Sequence, residues 1–461
     1  MKIGLEIHVQ LLTKSKLFCG CANRFVNEPN TLTCDYCLGM PGTKPRLNKE
    51  AVNVALKIGL ALNCKFPRET FFSRKSYFYP DMGKNFQITQ YEIPIASSGH
   101  LKVGKKKYRI RRVQMEEDPA RIVHVGTITQ AEYTLLDYNR SGVPLCEIVT
   151  EPDFADPKDA RIFLQELSSI LQYLNVFNPY IEGSMRVDAN ISVGSERVEV
   201  KNVSGFKEVE RALNYEIVRQ RGVVRRGATV ERETRGWDAN AGVTRSLRTK
   251  EGEEDYGYIF EGDLPRITVA AKTVKELKKH LPEFAQQKVK RYMKMGIKEE
   301  LAESIASDPD LAEAFELVAS AVNKTLAASW FAGEIKKTLN YRGLRLRDTR
   351  IKPEHIEKLL LLIEKKQITE KSAELILREM IEQPIDPDAL LKERDVARIS
   401  DEEAIENIIN DVIEANPKAV ADYKSGKQES FNFLVGQVMR RTQGRADQEV
   451  VREVLRRRLA D

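Results

Sequence analysis

The chain has 461 residues, with 74 Lys and Arg against 68 Asp and Glu, so its formal net charge is only +6. That length predicts two to four domains and a core that needs no covalent staples. The small charge excess does not by itself indicate a nucleic-acid partner. No apolar run reaches the roughly 20 residues of a membrane span, and the opening MKIGLEIHV lacks the pattern of a signal peptide, so no membrane role and a cytoplasmic location are expected.

MKIGLEIHVQL alternates strictly. Ile3, Leu5, Ile7 and Val9 fall on one face, and Lys2, Gly4, Glu6, His8 and Gln10 on the other. Period two predicts a strand with one buried face, and it places Glu6 and His8 about 7 Å apart on the polar side. Cys19, Cys21, Cys34 and Cys37 follow as C-x-C-x12-C-x2-C. Four thiols in two close pairs match a closed tetrahedral zinc site that would hold a loop. Two disulfides or ordinary buried thiols are the other readings, and the absence of secretion signals disfavours the disulfides. Cys64 and Cys146 stand alone.

KEAVNVALKIGLAL, near 49–62, predicts one helix among turns and strands that continue to about 153. In YRIRRVQM the strand pattern runs into Glu116, Glu117 and Asp118. Such a triplet is ordinarily a solvated loop. Glu147 in LCEIV shares its face with Leu145 and Val149, a carboxylate in an apolar setting. Asp156-Pro157 is a cap followed by proline at the first helical position, and Phe163, Leu167, Ile170, Leu171 and Leu174 keep helical spacing. MRVDANISV puts Arg186, Asp188, Asn190 and Ser192 on one face, and RVEVKNV does the same for Arg197, Glu199 and Lys201. Val209, Leu213 and Ile217 mark another helix.

After Pro265 the periodicity is helical. IEQPIDPDALLKERD, with Pro384 and Pro387, reads as a linker before a last unit of short helices rich in arginine. The expected fold class is α+β: a cradle around an antiparallel sheet with a four-cysteine zinc loop (1–272), an all-helical domain (273–395) and a small mobile helical tail (396–461).

A set of Glu and Asp with one His suits Mg²⁺ or Mn²⁺ with substrate phosphates, and Arg186 and Lys201 could neutralise phosphate oxygens. The plain alternative is that these polar faces meet water, because alternation does not say which strands are neighbours. There is no G-x-x-x-x-G-K-[ST] and no G-x-G-x-x-G after a strand, so any ATP site has no P-loop.

IGLEIHVQL, SKLFCGC, CLGMPG, KSYFYPDMGKNFQITQYEIPI, MEEDPAR, DYNRSGVPLCEIVTEPD, GSMRVDANISV, VEVKNVSGF, ETRGWD and FNFLVGQVMRRTQGRAD resemble, in order and over nearly the whole chain, the family of B subunits of the aspartyl/glutamyl-tRNA amidotransferases. The resemblance implies ATP-dependent phosphorylation of the side-chain carboxylate of a mischarged tRNA(Gln) or tRNA(Asn). Phosphate is then displaced by ammonia from a partner amidase, the A subunit, with a small C subunit making up a heterotrimer. The resemblance implies an activating Mg²⁺ site at His8, Glu116 and Glu147 and a second cation position at Glu6, Asp188 and Glu199. Tyr77, Tyr79 and Asp81 lie in the matching YFYPD segment and are expected to line the substrate cavity. Arg440, Arg441 and Arg445 are expected to contact tRNA, with Arg456, Arg457 and Arg458 adding positive potential.

Two departures concern the surroundings of that site: Gln114 stands where members often have His, and Pro119-Ala120-Arg121 replaces the usual A-G-K. No room is left between Pro265 and the helices near Val274 for the inserted domain of the two-subunit sister form, which favours the three-subunit form. The competing readings are a metal-dependent hydrolase built on the same carboxylates and a non-catalytic zinc-containing tRNA-binding scaffold.

Overall fold

A computed structural model of the chain describes residues 1–124, 133–181, 183–194, 196–249, 256–382, 387, 389 and 402–460. Packing divides it into two compact units, Met1–Phe284 and Ala285–Asp461.

The first unit contains β1 (Lys2–Gln10), α1 (Lys49–Ala61), β2 (Glu69–Thr70), β3 (Ser73–Ser76), β4 (Phe86–Thr89), β5 (Ala96–Val103) and β6 (Lys106–Glu117). It continues through β7 (Arg121–His124), β8 (Thr134–Asp137), β9 (Pro144–Thr150), α2 (Pro157–Tyr173), β10 (Met185–Ser192), β11 (Val198–Val203) and α3 (Phe206–Arg225). It ends with β12 (Glu233–Asp238), β13 (Val243–Thr249), β14 (Gly257–Phe260), β15 (Ile267–Thr268) and α4 (Ala271–Lys279). Among the described residues one sheet of eleven strands runs β13-β12-β11-β10-β1-β9-β6-β4-β3-β14, with β5 paired to β6.

The sheet expected to be antiparallel has one exception: β11 and β12 are parallel. Parallel neighbours need a crossover, and α3 supplies it. The other pairs of the large sheet are antiparallel, and β1 sits between β9 and β10. Its odd-numbered residues Ile3, Leu5, Ile7 and Val9 are fully buried, in one core with Val187, Ala189, Ile191, Ile148, Val113 and Met115. Helices α1, α2 and α3 contribute Ile58, Leu167 and Leu213 to that core. Asn48 caps α1 by accepting from the N–H groups of Glu50 and Ala51, and Asp156 caps α2 ahead of Pro157.

Helix α4 carries the periodicity expected of the helical domain. It packs instead with the first unit, where Val274, Leu277, Leu281 and Phe284 lie against the sheet core. The unit therefore runs to Phe284 rather than 272.

The second unit is helical among its described residues. Its first helices include Pro309–Val318, capped by Asp308, and Pro353–Glu364. Ile405, Ile409, Phe431, Leu434, Val438, Val451 and Leu455 form a separate apolar cluster in the last four helices, Glu402–Ala415 to Gln428–Arg441 and Gln448–Ala460. Thr369 donates to the carbonyl of Gly444 at 2.7 Å, so this cluster touches the preceding helices. The expected linker falls largely outside the described residues, Pro384 included, as does the boundary at 395/396.

Candidate active site on the polar face of the sheet

The strand register turns the separate alternations into one surface. Cross-strand partners share a face, and the pairs are Glu6 with Asp188, His8 with Arg186, His8 with Glu147, Gln114 with Glu147, and Asn190 with Glu199. Glu116 pairs with Leu145 on β9 and Thr89 on β4. One side of the sheet is thus core, and the other is a floor of carboxylates, amides and cations.

His8 Nε2 lies 3.6 Å from Glu116 Oε1, 3.6 Å from Glu147 Oε2 and 3.9 Å from Glu6 Oε1. Burial disfavours the charged imidazole, but the hydrogen bond to Glu147 and the charges of Glu116, Glu147 and Asp188 outweigh it, so His8 is pushed up to about 9. Burial first, then the Glu147 charge, raises Glu116 to about 7 and shifts Glu6 upward. Glu147 moves down: burial opposes its charge, but His8 and Arg112 stabilise it. Carboxylates crowded this closely need positive charge between them, and the protonated His8 supplies one such charge. Glu6, His8 and Glu147 can each offer one ligand atom within 4.8 Å of the others.

Three side-chain atoms beside this cluster are buried without a hydrogen-bond partner among the described residues: Glu147 Oε1, Gln114 Oε1 and Arg112 Nε. Buried polar atoms are nearly always paired, so three orphans in one place leave hydrogen-bonding capacity open for a further partner. The residues fit a hard divalent cation, which takes carboxylate oxygens, with His8 also suiting Mn²⁺.

Alongside lies a cavity of about 610 Å³ whose lining includes Glu6, Lys75, Arg112, Glu199, Lys201 and Tyr258. Lys201 Nζ donates to Asp188 Oδ2 at 2.9 Å and lies 3.7 Å from Glu199 Oε1. Its ammonium already stands among the residues of the second cation position. Burial opposes that charge, yet Asp188 and Glu199 raise the lysine overall.

The acidic triplet is not a solvated loop. All three residues are buried, and each takes a different partner. Glu116 faces His8. Glu117 binds Lys84 through both oxygens at 2.6 Å. Asp118 accepts from Arg186 at 2.8 Å and from Gln10 at 2.8 Å. Arg186 is therefore committed to Asp118, with its side chain still partly exposed. Tyr77 packs edge-on against Tyr256, which lines the cavity. Tyr79 is exposed and Asp81 buried, with burial raising the Asp81 carboxyl. None of Tyr77, Tyr79 and Asp81 is itself in the lining of that cavity.

Sequence reasoning missed Lys75, Arg112 and the role of Gln114, whose amide donates to Glu147 Oε2 at 3.1 Å. The signal was present: Arg112, Gln114 and Glu116 are two apart, hence on one face.

The four cysteines also converge. Cys37 Sγ lies 3.5 Å from Cys19 Sγ and 3.7 Å from those of Cys21 and Cys34. A disulfide requires about 2.05 Å, whereas a tetrahedron with Zn–S of about 2.3 Å has edges near 3.8 Å. The spacing fits a metal. Cys37 is held down to about 4 by the thiol of Cys19 and the charge of Lys16, against its burial.

In the tail Arg440 and Arg441 are exposed at the end of helix Gln428–Arg441, and Arg445 follows in the turn. Arg441 pairs with Asp411, Arg457 and Arg458 with Glu406, and Arg456 lies over the Phe431 ring.

Residues 1–275 match the family described as the GatB/GatE catalytic domain, and residues 313–459 match the GatB domain. The aspartyl/glutamyl-tRNA(Asn/Gln) amidotransferase B subunit of Thermotoga maritima is 44% identical over 99% of this chain and 98% of its own length. Those of Methanospirillum hungatei and Haloquadratum walsbyi are 47% and 43% identical, over 96% and 100% of this chain and 95% and 97% of their own. With both domains matched and the relatives covered almost end to end, the chain belongs to the family of B subunits of the aspartyl/glutamyl-tRNA(Asn/Gln) amidotransferases.

Proposed function

We propose that this chain activates and amidates the side-chain carboxylate of Glu-tRNA(Gln), Asp-tRNA(Asn) or both, using ATP and ammonia from a partner amidase. The observation that carries the assignment is the buried Glu6–His8–Glu116–Glu147 cluster beside a cavity edged with cations.

A carboxylate is a poor electrophile. Transfer of the γ-phosphoryl group of ATP to it creates a leaving group, and ammonia then displaces phosphate to leave the amide. His8, Glu116 and Glu147 would hold the cation, with Glu6 beside them; when bound it offsets charge on the phosphoryl oxygens. Arg112 and Lys201, at the cavity wall, supply positive charge for the same oxygens. Gln114 fixes the rotamer of Glu147. The carboxylates of Glu116 and Glu147 are buried and would shed little solvent on reaction, so their field is preorganised.

Cys19, Cys21, Cys34 and Cys37 would hold zinc in a closed structural site. The inferred partners are an amidase (the A subunit) and a small third chain (the C subunit). The arginines of the tail would follow tRNA phosphates, and the tail's separate apolar cluster supports treating it as a movable module. Work beside the translation machinery would place the chain in the cytoplasm; among the described residues no helix is long and apolar enough to cross a membrane.

The test is Glu147→Gln in the assembled complex with ATP, glutamine and each mischarged tRNA. ADP formation and amidation should fall about 100-fold or more, while glutamine hydrolysis by the partner persists. Normal amidation by the variant would remove the cluster from the chemistry. Phosphate release from wild type that needs no tRNA would instead indicate a hydrolase, and tRNA binding without ATP turnover a scaffold.

A further inference from the structure

Lys16 is the largest charged side chain that is completely buried among the described residues, with no exposure to solvent. Its ammonium makes three contacts: 2.8 Å to the carbonyl of Leu32, 3.2 Å to the carbonyl of Tyr138 and 3.4 Å to Cys37 Sγ. None is a carboxylate. A lone ammonium in a dry interior is costly, and in practice such a group is paired or gives up its proton. The anion available to Lys16 is therefore the sulfur of Cys37.

The metal site has the opposite need. Four thiolates around one Zn²⁺ carry two more negative charges than positive, and this site is half-buried. We infer that Lys16 is a charge-compensating positioning residue of the four-cysteine site, donating to the metal-bound Cys37 sulfur and holding the ligand loop closed. The inference rests on the zinc reading above and adds a residue that offers no bond to the metal.

The surroundings show what the lysine joins. Leu32 lies two residues before Cys34, so one N–H grips the ligand loop itself. Tyr138 begins a turn that returns along Lys16: Gly142 accepts from the Leu17 N–H at 2.9 Å and donates its own N–H to Asp118 at 2.8 Å. The hydroxyl of Ser141 donates to the carbonyl of Cys37 at 3.1 Å, and Asn139 accepts from the Leu32 N–H at 2.7 Å. Gly142 has φ +82° and passes over the lysine stem, with a Cβ position 3.6 Å from Lys16 Cδ. Lys16 thus sits where the cysteine loop, the 138–142 turn and the end of the acidic triplet meet. Neither carbonyl needs an ammonium in order to be satisfied; the sulfur is what calls for positive charge.

The experiment compares full-length wild type with Lys16→Met, which keeps the stem and removes the charge, and Lys16→Gln, which keeps a donor without charge. Zinc content is measured directly, and zinc release to a chromogenic chelator is followed at neutral pH. Wild type should hold one zinc per chain. Both variants should release it about 10- to 100-fold faster, the usual effect of losing a partner of a metal ligand. In cobalt-substituted protein the sulfur-to-metal charge-transfer band should move to lower energy in Lys16→Met, and less in Lys16→Gln, whose neutral amide is a weaker donor, because a hydrogen bond to a thiolate stabilises its lone pairs. A merely structural lysine would leave that band in place. Unchanged release and an unshifted band in whichever variant folds would overturn the inference while leaving zinc in place. Absence of zinc from wild type would overturn the zinc reading, and the role of Lys16 with it.

Discussion

Loading a divalent cation onto His8, Glu116 and Glu147, with Glu6 beside them, should expel a proton. His8 stands at about 9, so at pH 7 only about 1% of the imidazole is neutral, and a ligand nitrogen must be neutral. Removing that proton at pH 7 costs about 2.7 kcal/mol, two pKa units at about 1.36 kcal/mol each. Cation affinity should therefore rise about tenfold for each pH unit between 7 and 9, then level off. Below about 7, Glu116 takes up a proton as well, and the slope should steepen. Without a cation the sign reverses. A folded pKa above the unfolded 6.5 gives stability that is fully present below 6.5 and is lost as pH rises through about 9. That gap corresponds to roughly 3 kcal/mol, and Glu116 acts in the same sense between 4.5 and about 7. The assay is calorimetric titration of the full chain with Mn²⁺ at pH 6.5, 7.5 and 8.5 in buffers of differing ionisation heat. The expected result is at least about 100-fold tighter binding at 8.5 than at 6.5, with about one proton released at 7.5. His8→Asn should flatten the profile. Equal affinity across the range, or binding without proton release, would refute the placement of His8 in the ligand set.

Replacing Cys34 or Cys37 by Ser should lower bound zinc and destabilise the first unit by roughly 4 kcal/mol or more, as loss of a structural metal does; a double variant with full zinc content would remove these residues as ligands. Gln114→Leu takes away the amide that donates to Glu147 and should weaken Mn²⁺ binding about 10- to 100-fold, read in the same titration; unaltered affinity would mean the amide does not position the carboxylate. Deleting residues 396–461 should weaken tRNA binding and reduce its salt slope by roughly 0.7 to 0.9 for each phosphate no longer engaged. Equal affinity and slope with and without the tail would place tRNA recognition elsewhere on the chain.

The local pattern of this chain was legible where its strands obey period two, as β1 and β10 do along their shared register. The faces of β1 and β10, the cap at Asp156 and the convergence of four cysteines all follow from spacing within a few residues. What could not be read was which strand lies beside which. The His8–Glu147 pair joins residues 139 positions apart through the β1–β9 register, and nothing in either segment names the other. The same limit hid the parallel β11–β12 pair. The acidic triplet misled for a different reason. Charged runs are commonly solvated, but here Lys84, Arg186 and His8 arrive from three distant segments to receive one acid each. Helix α4 looked like the helices after it because its apolar stripe does not record what covers it. Lys16 escaped notice because one lysine three residues before a cysteine carries no sign of burial in sequence.

Strand β1 has a neighbour on each side and meets two environments on alternate residues. Its tolerance to change is correspondingly uneven. An exchange at Glu6 or His8 alters the reactive floor while Leu5, Ile7 and Val9 keep their places underneath, so the chemistry can be retuned without repacking. Loss or gain of a single residue between Lys2 and Gln10 is another matter. Every side chain beyond that point would change sides, bringing leucine and isoleucine to the polar face and glutamate and histidine into the core. Variation along this strand should therefore proceed by replacement and never by a change of length, and a library of variants with one-residue insertions here should yield insoluble protein at almost every position.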